Sequence, residues 1–245
     1  GLTVQFAYSQ AALIDDFDKA VKLLKSEKYK KATDAFSAVL QKATDDKLKK
    51  FCYIYRAFSY NGLNDYKNAI SDLDKAIELD PDDLASFTDR GKTKASASDL
   101  NGAKKDFIFI LTKDTTGEQA EAAFYYLGKI AYQEGEFEQS IKYYDKLLAL
   151  APQDSEVYFN RAAAKGMSMD VAGSIKDYDK AIELDPNYME AYANRGVAKI
   201  NLVTSKGNIR PTKEQTSDPC ADLKKAKQLG DKTVDDMIFI YCDKK

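Results

Sequence analysis

Five stretches of the chain place buried-type residues three, four and three positions apart. They read Tyr29–Ala32–Phe36–Val39, Tyr66–Ala69–Leu73–Ala76, Leu100–Ala103–Phe107–Ile110, Phe137–Ser140–Tyr144–Leu147 and Val171–Ser174–Tyr178–Ala181. That spacing puts the apolar and small residues on one face of an α-helix, with Lys, Asp and Glu on the other. Three of the stretches close on a similar ending. The octapeptide DKAIELDP stands at Asp74–Pro81 and again at Asp179–Pro186, and a relaxed version, DKLLALAP, stands at Asp145–Pro152. Proline after such a run stops the helix, because it disfavours helical geometry in the residue before it.

The prolines also set a period. Pro152 and Pro186 are 34 residues apart, and Pro81 to Pro152 is two such periods plus three, the extra residues falling at Glu118–Ala120. In this frame six units follow one another: 13–46, 50–83, 84–117, 121–154, 155–188 and 189 to about 231. Position 8 of every unit is small (Ala20, Ala57, Gly91, Gly128, Ala162, Gly196), and position 24 is large (Phe36, Leu73, Phe107, Tyr144, Tyr178, Leu223). A small residue on one helix facing a large one on the next lets two helices approach closely. One such pair cannot bury its own apolar face, so neighbouring pairs must stack.

This frame resembles the tetratricopeptide repeat family, whose 34-residue unit is a helix–turn–helix. The resemblance covers nearly the whole chain, with departures: position 4 is Phe or Tyr in most units where the family has Trp, and Pro is missing from position 32 in the first (Thr44) and third (Thr115). It implies an all-α fold, a right-handed superhelical solenoid of six repeats closed by a C-terminal capping helix over 232–245. It further implies that the first helices of the repeats line a concave face. Positions 2, 5, 6, 9 and 12 point into that face, and among the residues there are Tyr125, Tyr126, Lys129, Tyr132, Phe159, Asn160, Asn194, Phe58, Asn61 and Lys92. Aromatic rings with interspersed amides suit an extended or helical peptide. Some family members clamp a C-terminal carboxylate with Lys and Asn on successive repeats. Asn160 fits that pattern, but Glu190 and Asn194 stand where basic residues are required, so that specialisation is not implied.

Comparing the six copies with one another exposes a pairing. Arg occupies position 7 in four units (Arg56, Arg90, Arg161, Arg195), and the same four carry Asp at position 23 (Asp72, Asp106, Asp177, Asp222). The other two units lack both, with Lys19 and Ala35 in one and Leu127 and Tyr143 in the other. Co-occurrence predicts an ion pair between the two helices of a unit.

The ends break the pattern. VTSKGNIRPTKEQTSDP separates the two helices of the last unit and reads as an 11-residue insertion, with the second helix resuming at Cys220. Beyond Gly230, Val234, Met237, Ile238 and Tyr241 form the apolar stripe of a short capping helix. If that helix folds back on the one before, Cys220 and Cys242 meet at adjacent ends; the choice is between a disulfide there and two free thiols. Residues 1–12 stand outside the repeats, and the apolar LTVQFAYSQ reads either as the remnant of an export signal or as an extension of the first helix. The first reading predicts an exported or periplasmic protein, with the cytoplasm as the alternative.

Composition narrows the chemistry. The net charge is -2, with 37 basic and 39 acidic residues interspersed, so no basic stripe marks a nucleic-acid partner. There is no histidine, which removes the commonest general base and metal ligand, and the 3 cysteines form no CxxC pair. GxGxxG, GxxxxGK[ST] and GxSxG are absent. No run of apolar residues is long enough for a membrane span. The expectation is a non-enzymatic adaptor that binds a peptide or protein, without metal or cofactor. The alternative is an exported assembly factor of the cell envelope that works through its edges or the insertion.

Overall fold

The computed structural model describes residues 2–205 and 211–243, with side chains from residue 10 onward. Among them there are thirteen α-helices and no strand. In chain order these are α1 (Leu2–Lys25), α2 (Tyr29–Lys42), α3 (Asp46–Gly62), α4 (Tyr66–Leu79), α5 (Leu84–Ser96), α6 (Leu100–Lys113) and α7 (Glu118–Gln133). There follow α8 (Phe137–Leu150), α9 (Ser155–Met167), α10 (Val171–Leu184), α11 (Met189–Thr204), α12 (Lys213–Gln228) and α13 (Asp235–Tyr241). Successive helices pack as hairpins, α1 with α2, α3 with α4, and so on to α11 with α12. The chain divides into two compact units, residues 1–123 and 124–245, the division falling inside α7.

Each hairpin turns by the same device. The residue at position 15 of the first five repeats has positive φ: Glu27 (56°), Asn64 (58°), Ser98 (64°), Gly135 (78°) and Met169 (69°). The residue after it sends its N–H back to a carbonyl five positions earlier, as in Asp65 N–H to Tyr60 O at 2.9 Å and Asp170 N–H to Lys165 O at 2.9 Å. This is the Schellman closure of a helix C-terminus. Asp65, Asp99 and Asp170 then cap the next helix, their carboxylates accepting from the backbone N–H of Asn68, Gly102 and Gly173. One residue thus ends one helix and begins the next. Lys28 and Glu136 occupy the same place without a side-chain cap.

The small-to-large pairing between positions 8 and 24 is close contact. A Cβ on Gly128 would stand 2.6 Å from the Tyr144 ring, and one on Gly91 2.8 Å from that of Phe107. Ala20, Ala57 and Ala162 are fully buried at the same position.

The arginines at position 7 each serve two helices. Arg161 donates from Nε and Nη2 to the two carboxylate oxygens of Asp177, at 2.8 and 2.7 Å, and from Nη1 to Asp145 at 2.7 Å. Arg90 holds Asp106 and Asp74 in the same way, and Arg195 holds Asp222 and Asp179. Arg56 grips Asp72 and reaches the Ser37 hydroxyl. The outer partners, Ser37, Asp74, Asp145 and Asp179, all occupy position 25 of the preceding repeat. A second cation adds to three of the four: Lys94, Lys165 and Lys199 contact Asp106, Asp177 and Asp222 at 2.8 to 2.9 Å.

At the C-terminal end the second helix of the last hairpin starts earlier than Cys220. It begins at Lys213, capped reciprocally by Thr212 and Gln215, and carries Pro219 inside it. Asp218–Pro219 reads locally as a helix start, but the capping box seven residues upstream satisfies the first N–H groups instead. The insertion is therefore partly helical; residues 206–210, its middle, lie outside the described residues, as does Gly1. The three residues Glu118–Ala120 form the first turn of α7. Residues 2–12 continue α1. Within the expected capping segment 232–245 the helix runs over Asp235–Tyr241, and residues 244 and 245 lie outside the described residues. Val234 and Ile238 are buried against Ile200, Leu223 and Ala226, with Met237 and Tyr241 packed beside them. The sulfurs of Cys220 and Cys242 are bonded, joining α12 to the end of α13. Cys52 is a buried free thiol.

Candidate functional site

In the C-terminal unit, α7, α9 and α11, the first helices of three successive repeats, enclose a groove in two connected parts. The first, about 380 Å³, is lined by Lys129, Tyr132, Gln133, Tyr144, Phe159, Asn160, Ala163 and Asn194. The second, about 300 Å³, shares Tyr132, Ala163 and Asn194 and adds the end of α9 (Gly166, Met167), the start of α10 and Val197, Ala198 and Asn201 of α11. Helix α9 begins at a firm cap, Asp154 accepting from Glu156 and Val157 N–H, which fixes where Phe159 and Asn160 face.

The walls are aromatic. Phe159 stacks on Tyr188 at 5.0 Å and tilts against Tyr178 at 5.7 Å; Tyr132 meets Phe137 edge-on at 5.5 Å. These contacts leave the rings few alternative orientations. Burial pushes the Tyr178 hydroxyl up to about 12 against the opposing influence of Asn194 and Ser174, and burial raises Tyr144 as well, so both stay protonated. Polar groups are few. Asn160 Nδ2 is buried and has no hydrogen-bond partner. Lys129 is exposed at the rim, its ammonium 5.3 Å from the Tyr125 ring centroid. Leaving a buried donor unpaired costs about 1–3 kcal/mol.

Of the ten residues expected on a concave face, Lys129, Tyr132, Phe159, Asn160 and Asn194 line this groove together. Tyr125 and Tyr126 stand outside the two linings. The Tyr125 hydroxyl donates to Glu156, and its ring packs edge-on to Tyr126 at 5.3 Å. Phe58, Asn61 and Lys92 belong to the N-terminal unit and form no part of this groove. Sequence reasoning missed Met167, Ser174 and Tyr178. Tyr178 sits at position 24, as does Tyr144 in the first part of the groove, a position that elsewhere only packs; the clue was the hydroxyl on both, which a residue that only fills space does not need.

In the N-terminal unit the residues expected on a concave face come from α3 and α5. Tyr55 and Phe58 meet edge-on at 5.8 Å. Asn61 Nδ2 donates to Thr93 Oγ1 at 2.9 Å, and that hydroxyl donates to the Asp89 carbonyl at 2.8 Å. Asn61 Oδ1 is buried without a donor.

Among the described residues no group of three or more His, Cys, Asp or Glu side chains is placed to hold a metal ion, and no helix is long and apolar enough to cross a membrane.

Comparison with known proteins places the repeats. The tetratricopeptide repeat model matches residues 53–83 and 121–154, and a TPR repeat model matches 170–202. A TPR repeat-containing protein of Methanocaldococcus jannaschii is 26% identical over 128 residues, 52% of this chain and 39% of that relative, so the match spans well under half of its length. Among solved structures, the C-terminal part of a TPR repeat-containing protein from Cytophaga hutchinsonii superposes with a TM-score of 0.70 at 19% identity, covering 94% of this chain and 96% of that one. MamA gives 0.62 at 20% identity, over 74% and 91%. YrrB, described as a TPR protein with an unusual peptide-binding site, gives 0.60 at 20% identity, over 81% and 93%. At these identities the likeness is one of fold.

Proposed function

The chain belongs to the tetratricopeptide repeat family, and from that premise we propose that it is a protein-interaction scaffold whose C-terminal unit receives a partner's peptide segment in the groove of α7, α9 and α11. It acts by display rather than by catalysis. Rings held by mutual packing present a preformed surface, so little ordering entropy opposes binding. The observation that carries the reading is Asn160: a buried amide donor without a partner, between Phe159 and Tyr132, is suited to a backbone carbonyl of a bound chain. Peptide binding by YrrB, a protein of like fold, supports it.

The test is selection of binders from a random peptide display library on the immobilised protein, followed by fluorescence anisotropy with single variants. Asn160→Ala should weaken the selected peptides about three- to tenfold, the worth of one hydrogen bond, and Tyr132→Ala more. Selected peptides that bind both variants as tightly as the parent would move the site elsewhere.

A second reading, an exported assembly factor of the cell envelope, is favoured by one observation. The Cys220–Cys242 disulfide is a bond that persists in oxidising compartments. Fractionation of cells expressing the complete gene decides it; recovery only with the cytoplasm would end this reading.

A further inference from the structure

The inner face of the N-terminal unit holds two acceptors, Asn61 Oδ1 and the Asp89 carboxylate, without a hydrogen-bond donor among the described residues. Asn61 spends its amide N–H₂ on Thr93, which leaves Oδ1 buried and unpaired. Thr93 in turn donates to the backbone carbonyl of Asp89, so Asn61 is tied to α5 one turn from Asp89. The Asp89 side chain is half-buried and, among the described residues, receives no hydrogen bond and makes no ion pair of 4 Å or less. Beside them, Phe58 lies one turn from Asn61 along α3 and meets Tyr55 edge-on. Two acceptors on adjacent helices, near aromatic rings, want a donor that also carries positive charge: the ring faces attract a cation and the carboxylate pairs with it.

We propose that this face is a second recognition site, one that takes a lysine or arginine side chain of a partner between Asn61 on α3 and Asp89 on α5. The state of Asp89 agrees. Burial pushes its pKa up to about 6, against the opposing pull of Lys92, with Asp83 adding to the rise. The fold leaves this carboxylate short of compensation, and an incoming ammonium or guanidinium supplies it. Burying a charge without its partner is the arrangement a protein avoids unless the partner comes from outside. Its residues lie on α3 and α5, within the N-terminal unit.

The experiment is an NMR titration of the full chain with three blocked peptides, acetyl-Gly-Gly-Lys-Gly-Gly-amide, its arginine counterpart and its norleucine counterpart. The lysine or the arginine peptide, binding in about the millimolar range, should shift the Asn61 side-chain amide and the Asp89 carboxyl resonance and lower the pKa of Asp89. Which of the two binds tighter identifies the preferred side chain. Asp89→Asn, which stays folded because it removes an unpaired charge, should weaken that binding about tenfold or more. Asn160→Ala should leave it unchanged, so that failure of either site is read separately. The proposal is overturned if the norleucine peptide produces the same shifts at the same concentrations, or if Asp89→Asn binds the basic peptides as tightly as the parent.

Discussion

At the scale of the residue, position 15 and Asp89 show the fold holding groups against their own preferences. A left-handed backbone costs a residue with a Cβ about 1 kcal/mol, and glycine escapes that cost. Only Gly135 in the fourth repeat does so. Met169 has φ 69° and a side chain 84% exposed, so it is strained and contributes little packing. Met169→Gly should raise stability by about 0.5–1 kcal/mol in urea denaturation, and Asn64→Gly by less, since Asn tolerates this conformation. Asp89 is held against its charge. Its folded pKa, about 6, lies above the ordinary 3.8. The folded state therefore binds this proton more tightly than the unfolded chain. The associated stability is fully present below pH 3.8 and is lost as pH rises through 6. Lys92 and Asp83 are the charged groups acting on it. Asp89→Asn should raise the melting temperature at pH 8 and change it little at pH 4; equal effects at both would mean the carboxylate is already compensated.

At the scale of the helix, local chemistry explains where each element begins and ends. Asp65, Asp99 and Asp170 cap their helices, whereas Glu136 stands at the same place and makes no cap bond. Glu136→Asp should therefore add about 0.5–1 kcal/mol, read from thermal unfolding. Packing between helices sets a harder limit. The Tyr144 ring leaves no room for a methyl group on Gly128, so Gly128→Ala should destabilise by about 1–2 kcal/mol even though alanine favours helix. The ion pairs join helices at the same layer. Arg161 is 16% exposed and Asp177 7%. Removing Asp177 alone takes the partner of Lys165 and leaves Arg161 only its bond to the more exposed Asp145, and should cost about 3 kcal/mol. Replacing Arg161 and Asp177 together by Met and Leu should cost less than Asp177→Ala, and a double-mutant cycle without coupling would count against the pair.

At the scale of the whole molecule, the C-terminal end depends on a crosslink. Helix α13 has 7 residues, too few to persist alone in water, and its Val234 and Ile238 cover the apolar end of the last hairpin. The Cys220–Cys242 bond closes a loop of 22 residues, which by loop entropy stabilises the folded state by about 3 kcal/mol. Mass spectrometry of unreduced protein, alkylated after unfolding, should find Cys52 modified and Cys220 and Cys242 linked. Alkylation of Cys52 in the folded state should be slow, because burial pushes its thiol up to about 12.

What the sequence by itself determined is whatever lies within a turn or one repeat. Helix period, the proline stops and the small-to-large alternation follow from interactions three or four residues long, copied at a spacing of 34. Six copies also allow co-variation to name one partner of each position-7 arginine. The likeness to tetratricopeptide repeats, and with it the helical-hairpin fold, was legible on those grounds. Tertiary structure decided what one hairpin does to the next. The second arm of each arginine goes to position 25 of the preceding repeat, a contact that exists only once repeats stack. The start of α12 at Lys213 rather than Cys220 was decided by a capping box that outweighed the Asp–Pro signal. Tyr178 joined the groove, and Asn61, Asn160 and Asp89 lost their hydrogen-bond partners or their water, through what packs around them. A side chain's type is written in the chain; whether its polar atoms are satisfied depends on which neighbours the fold brings within about 3 Å.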